Sequence, residues 1–249
     1  MKFKAQYISY RKTGAFSKIV QDYVSGEAAL KDFYQYEPTI AGIKKAIRDR
    51  KKYPYNRTLL ADELTRQYEG LPVSPKITAN IEALRNEKTF TICTAHQPNI
   101  FTGHLYFIYK IVHAIRLADK LNDKLKGFHF VPVYYMGSED ADLEELGEVT
   151  INGKKYEWKT DQTGAVGRML IDKAFIELIT IIEGQLAVEP HGKEILELVR
   201  NAYTIGKTIE RATFELVNAL FAEYGLLIFL PDSAVFKKEF QFINYKELT

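Results

Sequence analysis

The residues of this chain best suited to chemistry fall in two polar segments. The first is Thr94-Ala-His-Gln-Pro-Asn-Ile-Phe-Thr-Gly-His-Leu-Tyr106. It lies between a short apolar strand pattern, Phe90 to Cys93, and a strongly helical run, Leu105 to Leu121. The first backbone N–H groups of a helix have no partner within it, and the helix dipole adds partial positive charge there. Phosphates and carboxylates therefore favour such ends. Here His96, Gln97 and Asn99 precede the helix and Thr102, Gly103 and His104 open it. Thr102 is the expected N-cap, Gly103 leaves room for close approach, and Lys110 lies within reach of the same end.

The second segment is Gly137-Ser-Glu-Asp-Ala-Asp142, followed by Glu144 and Glu145. Just past a strand end, such acids could bind a cation, an amine, a sugar hydroxyl or an Mg²⁺–nucleotide. They equally suit an ordinary solvated helix start, where Asp and Glu are favoured. His113 inside the helix and His129 in a strand read as structural, and His191 as an exposed turn residue. No dinucleotide fingerprint, Walker loop, HExxH, CxxC or GxSxG motif is present, and no metal site emerges.

Both segments need a scaffold. Strand, helix, then the apolar run Phe128 to Met136 make a βαβ unit, whose crossover is right-handed. In such parallel sheets ligands sit outside the carboxyl ends of the strands, and both polar segments leave those ends. The two should therefore be neighbours. Upstream, residues 1–88 read as a helical region, with helices expected at Phe16 to Val24, Ile40 to Arg50, Thr58 to Tyr68 and Ile77 to Arg85. Residues 89–147 are the first part of a Rossmann-like core. Residues 148–205 form an inserted module, opened by a hairpin around Asn152-Gly153, a pair suited to a type I′ turn. Residues 206–249 return to the core through a helix, Thr208 to Tyr224, and a buried strand, Leu226 to Leu230. An atypical tail carries Phe240, Phe242, Ile243 and Tyr245. The fold class is thus α/β with a parallel sheet. Three strands are few for so many helices, so the chain reads as truncated and, alone, as inactive and prone to aggregation.

The bulk figures agree with an ordinary globular protein: 249 residues, 46% hydrophobic and 27% charged. A net charge of +2 gives no reason to expect nucleic acid or an acidic membrane surface. There is no apolar run of membrane-spanning length and no apolar core after Met1-Lys-Phe-Lys that would make a signal peptide. The single cysteine, Cys93, fits a reducing cytoplasm and, by its strand pattern, a buried position.

Together, the stretch from Thr94 through Thr102-Gly-His-Leu-Tyr106 to Lys110, the run Val131 to Glu145, and Phe221-Ala-Glu-Tyr-Gly-Leu-Leu-Ile-Phe-Leu-Pro-Asp232 resemble the BshC family of cysteine-adding enzymes of bacillithiol biosynthesis. That family carries Thr-Gly-Gln-Gln, Leu-Thr-Gly-Pro-Leu-Tyr and Gly-Glu-Asp-His-Asp at the first two places. Here Ala95 and His96 replace the usual glycine and glutamine, and His104 the commoner proline. The resemblance spans residues 1 to about 236. It implies a Rossmann-like core of the class I aminoacyl-tRNA synthetase kind and a ligase that joins cysteine to glucosaminyl malate through an amide. ATP or ADP is the implied cofactor, and full-length relatives, about twice as long, are implied to pair through a coiled coil. His96, Gln97, Asn99, Thr102, Gly103, His104, Tyr106 and Lys110 would line the nucleotide or substrate pocket. Ser138, Glu139, Asp140 and Asp142 would bind the cysteine amine or sugar hydroxyls, and no residue is assigned the catalytic step. A nucleotidyltransferase using the same helix end, or a non-catalytic remnant domain, are the rival readings.

Overall fold

The computed structural model describes Lys4 and residues 6–249. By internal contacts the chain divides into Met1–Tyr55 and Asn56–Thr249. The helical region read as 1–88 is therefore split, and its last two helices belong to the sheet-bearing unit. The first unit contains helices α1 (Tyr10–Thr13), α2 (Lys18–Ser25) and α3 (Ile40–Arg50). The Thr39 hydroxyl caps α3 by accepting the Gly42 N–H.

The second unit opens with α4 (Arg57–Gln67) and α5 (Pro75–Ala83). Asn56 caps α4 and Ser74 caps α5, whose first residue is a proline that needs no N–H partner there. The chain then runs through β1 (Thr89–His96), α6 (Leu105–Lys124) and β2 (His129–Met136). A short helix α7 (Leu143–Leu146) leads into the hairpin β3 (Glu148–Ile151) and β4 (Lys154–Glu157). Helices α8 (Lys173–Leu186), α9 (Gly192–Ala202) and α10 (Ile209–Phe221), strand β5 (Leu227–Phe229) and helix α11 (Ala234–Leu248) complete it.

The main sheet is parallel in the order β1-β2-β5. This is the Rossmann-like arrangement the residue pattern implies. Apolar β2 is central, with Phe130, Val131, Tyr134 and Met136 buried. β1 pairs with it from Thr89↔His129 to His96↔Met136, three residues beyond the apolar pattern. Cys93 is exposed, not buried: β1 is an edge strand, and residues 91, 93 and 95 share its uncovered face. In the hairpin, Asn152 and Gly153 have φ of 51° and 77°, the sign a type I′ turn requires.

Two apolar clusters fill the unit. One lies on the sheet and gathers Leu64, Ile77, Ile111, Tyr134, Val217 and Ile228. The other is the centre of the inserted module, around Trp158, Phe175, Ile179 and Tyr203. α10 serves both, with Phe214 and Val217 on the sheet side and Ile209, Ala212 and Leu216 on the module side. The segment read as an atypical tail is the helix α11, and none of its residues is buried. Its local spacing carries a helix, but the packing that would select an inner face is absent from this arrangement. No helix among the described residues is long and apolar enough to cross a membrane.

Candidate functional site

His96 is the last residue of β1 and is buried. Its ring stacks on Tyr106, with centroids 5.1 Å apart and planes 15° from parallel, and meets the edge of Phe107 at 5.4 Å. Tyr106 faces the His104 ring on a second contact at 5.8 Å. His96 Nδ1 lies 2.8 Å from the backbone nitrogen and 2.8 Å from Oε1 of Gln97, which pins the ring. Burial lowers the His96 pKa, against the opposing Gln97 contact and with the help of the nearby Lys110 charge, which favours the neutral ring. Its Nε2 is buried without a partner. The buried Tyr134 hydroxyl from β2 donates to the carbonyl oxygens of His96 and Gln97, 3.2 Å from each, and so ties the end of β1 to the central strand.

Beyond Gln97 the chain takes a strained path. Phe101, Thr102 and Gly103 have φ of 53°, 75° and 61°. Positive φ is uncommon for side-chain-bearing residues and costly for a β-branched one. The turn persists because the inserted module grips it. The Phe101 N–H donates to the Tyr203 hydroxyl at 3.2 Å, and the Phe101 ring lies 5.3 Å from Tyr203 and 5.4 Å from Phe175. Ile100 is fully buried in the same cluster. Buried Asn99 packs under the turn, where a Cβ on Gly103 would stand 2.7 Å from the Asn99 Cβ.

This path corrects the expected cap. Thr102 does not cap α6. The left-handed run turns the chain before the helix begins, so His104 occupies the N-cap position and its side chain makes no capping bond. The first turn of α6 is therefore left without a side-chain acceptor, and Asn99 Oδ1 nearby is buried and unpartnered. Lys110 does reach back along its helix, but its ammonium bonds the Ala95 carbonyl oxygen of β1.

The two polar segments are neighbours. Gln97 Nε2 donates to Asp140 Oδ2 at 3.1 Å, and the Gly137 N–H donates to the His96 carbonyl at 2.9 Å. The Asp142 backbone N–H and then Gln97 hold the Asp140 carboxyl below the usual range. Asp142 itself follows the ordinary helix-start reading: its carboxylate caps α7 by accepting the Glu145 N–H at 3.1 Å. Ser138 is fully buried, its carbonyl accepting the Gly167 N–H.

Glu139 joins a charged group that the residue pattern did not single out. Lys237 of α11 donates to Glu139 at 2.7 Å and also bonds Asp232, which follows β5. Arg168, from a single 3-10 turn of the module, grips Asp232 in a fork at 2.6 and 2.7 Å. Glu210, at the start of α10, faces the same group, and burial pushes its pKa up. Asp232 was findable, because it leaves a strand's carboxyl end as the other two segments do. No local signal marks Arg168, Glu210 or Lys237.

Arg168 first, then Lys237, hold the Asp232 carboxyl down at about 2. A depressed carboxylate contributes stability that is present above its unfolded pKa, near 3.8, and is lost as pH falls through its folded one. Asp232→Asn is therefore expected to cost about 1–2 kcal/mol at neutral pH, allowing for screening of its half-exposed partners. Urea titrations of both forms between pH 7 and pH 2 should show the difference closing over the lowest two units. A gap that persists at pH 2 would assign the loss to packing instead.

The family described as "Bacillithiol biosynthesis BshC, N-terminal Rossmann-like domain" matches residues 3–249. Three curated relatives carry the name "Putative cysteine ligase BshC". That of Flavobacterium psychrophilum is 40% identical over 236 residues, covering 94% of this chain and 44% of the relative. That of Cytophaga hutchinsonii is 39% identical over 246 residues, covering 99% and 45%. That of Flavobacterium johnsoniae is 38% identical over 235 residues, covering 94% and 44%. The chain thus spans a little under half the length of these relatives.

Proposed function

The chain belongs to the bacillithiol-biosynthesis BshC family, as its N-terminal Rossmann-like domain, and on that premise we propose that it is the nucleotide- and amino-acid-binding core of a cysteine ligase. The reaction we assign to the whole enzyme joins the carboxyl of L-cysteine to the amine of glucosaminyl malate through an amide. The observation that carries this reading is the Gln97–Asp140 hydrogen bond beside the uncapped start of α6. It puts an anion-favouring helix end and an ammonium-favouring carboxylate at the carboxyl ends of two adjacent strands.

The residues fit a nucleotide. First-turn N–H groups of α6 and the His104 ring would meet phosphate oxygens, and Tyr106 offers an aromatic face. Lys110 keeps a positive charge one turn away. A bound nucleotide would supply activation of the cysteine carboxylate. Asp140, held ionised by Gln97 and the Asp142 N–H, would bind the cysteine ammonium and orient it. Ser138, Glu139 and Asp142 stand on the same strand-end segment; Asp142 shapes it as a cap rather than as a contact.

Calorimetric titration of ATP and ADP tests the nucleotide assignment. In a full-length relative that carries histidine at this place, the change equivalent to His104→Ala should weaken nucleotide binding several-fold, up to about tenfold, since one hydrogen bond to a charged group is worth about 1.5 kcal/mol at the low end. Mass spectrometry of the amide product from cysteine, glucosaminyl malate and ATP tests the reaction. Nucleotide affinity indifferent to both His104 and Gly103 would move the site away from α6.

A further inference from the structure

The net charge of +2 conceals a strong asymmetry. Residues 1–55 hold twelve of the 34 Lys and Arg but five of the 32 Asp and Glu, a net +7, while residues 56–249 carry a net −5. The division follows the boundary between the two units. In the first unit the cations concentrate on α3 and the turn after it, where Lys44, Lys45, Arg48, Arg50, Lys51 and Lys52 stand beside one acid, Asp49. The helical path continues to Lys52, whose N–H donates to the Asp49 carbonyl at 3.0 Å. A helix turns about 100° per residue, so Lys44, Lys45, Arg48 and Lys52 share one arc of roughly 100°. All four are exposed, and the other residue of that arc is Ala41. Ile43, Ala46 and Ile47 lie on the opposite, inner side. Four residues along a helix rise about 6 Å, a spacing close to that of successive phosphates on a single strand.

Lys52 is paired with Asp49 at 2.6 Å, but among the described residues Lys44, Lys45 and Arg48 pair with no carboxylate. The helix dipole accounts for cations in the last turn, Arg48 and Arg50, and not for Lys44 and Lys45 before it. An aromatic ring stands at the end of the basic arc. Tyr53 is 67% exposed, yet its backbone is held: its N–H donates to the Arg50 carbonyl at 3.1 Å, and the Arg50 guanidinium donates to the Tyr53 carbonyl at 2.7 Å. Pro54 restricts Tyr53 further, and the Arg50 guanidinium lies 4.8 Å over the ring of Tyr55. Phosphate-spaced cations ending at a fixed, open aromatic face are the two parts that single-stranded nucleic acid requires. A bilayer fits less well, since the arc has no apolar side chain beyond Ala41 to enter it. The exposed Ile19 and Val24 belong to α2, whose Lys18 is paired with Asp22. An acidic peptide would use the charge and leave Tyr53 without a role.

We propose that the outer face of α3 binds single-stranded nucleic acid, with Lys44, Lys45 and Arg48 against successive phosphates and a base stacked on Tyr53. The face lies in the first unit, apart from the strand-end site, and the proposal does not depend on the ligase reading. Backbone charge and one stacked base carry no sequence information, so binding is weak, sequence-tolerant and sensitive to salt.

Fluorescence anisotropy of a labelled oligouridylate, titrated with the 249-residue chain, tests the proposal. Three neutralised phosphates give a log–log salt slope of about −2, so affinity should fall roughly 20-fold between about 50 and 200 mM salt. Lys44→Gln with Lys45→Gln should cut the slope to about −0.7, and both positions are exposed, so the fold is not at stake. Tyr53→Ala should lower affinity about fivefold or more with the slope unchanged, and Tyr53→Phe should restore it. Lys124→Gln with Lys126→Gln, a surface pair in the other unit, should alter neither quantity. No oligouridylate binding at about 50 mM salt, or binding indifferent to the Lys44 and Lys45 changes, would overturn the proposal. Polyglutamate or phosphatidylserine vesicles binding as tightly as the oligonucleotide would also overturn it, assigning the face to an acidic protein or to a membrane.

Discussion

Gly103→Val should give the largest loss of ligand binding of any single change at the start of α6. Two independent effects act at this residue. Its φ of 61° and ψ of −140° lie in a region open in practice to glycine alone, so any side chain there stores strain of about 1–3 kcal/mol. A Cβ would also stand 2.7 Å from the Asn99 Cβ, closer than two carbons can pack. The turn must move, and with it the first N–H groups of α6 and the His104 ring. Losing an aligned contact to a charged group is worth about 1.5–3 kcal/mol, or roughly ten- to a hundredfold in affinity. Urea unfolding and ATP titration, run on the same preparation, measure both effects. Adding Asn99→Gly should relieve the clash but not the backbone strain, so it should restore part of the stability. A Gly103→Val protein with unchanged stability and unchanged nucleotide affinity would refute the turn geometry and the site together.

Phe175→Ala should give the largest loss of stability, about 3–5 kcal/mol, as expected for emptying a fully buried aromatic position. The Phe175 ring stacks on Tyr203 at 5.0 Å, takes the edge contact of Trp158 at 5.2 Å and touches Phe101 at 5.4 Å. It is therefore both the centre of the inserted module and part of the grip on the strained turn. A loss confined to the module would leave the turn alone. The contacts argue otherwise: amide exchange at residues 101–103 should accelerate in Phe175→Ala, and nucleotide affinity should fall with it. Phe175→Leu, which keeps most of the volume, should lose far less. Unaltered exchange at 101–103 beside a large drop in global stability would mean that Tyr203 alone secures the turn.

These two residues also mark how much could be read from the chain itself. Gly103 stands out locally, between a strand pattern and a helical run. Phe175 does not: it is one apolar residue among several in Phe175-Ile-Glu-Leu-Ile-Thr-Ile-Ile182, and nothing near it points to Phe101. The elements were legible wherever one short-range force dominates. The 3.6-residue spacing marks α3, α4 and α6, and Asn152-Gly153 marks the hairpin. The apolar run of β2 marks a central parallel strand. The meeting of Gln97 with Asp140 was legible too, because two strands joined by one crossover must end on the same side.

Other features escaped because their causes are distant in sequence. Thr102 has the right residue type for a cap, but Tyr203 and Phe175, more than seventy residues away by number, hold the backbone in a left-handed path that moves the cap to His104. Cys93 has the right pattern for burial, but whether a face of β1 is covered depends on strand order, and β1 is at an edge. Arg168 and Asp232, 64 residues apart, meet only because the module folds back over the end of β5. Glu210 has a raised pKa because long-range packing buries it and brings the Asp232 and Glu139 carboxylates near it. By itself the sequence determined the local elements and the family, since periodicity, turn chemistry and motif order are properties of neighbouring residues. Only the tertiary structure decided which backbone is strained, which charges share a site and which buried acceptors, Asn99 Oδ1 among them, are left without a partner, since each is set by what long-range packing brings within a few ångströms.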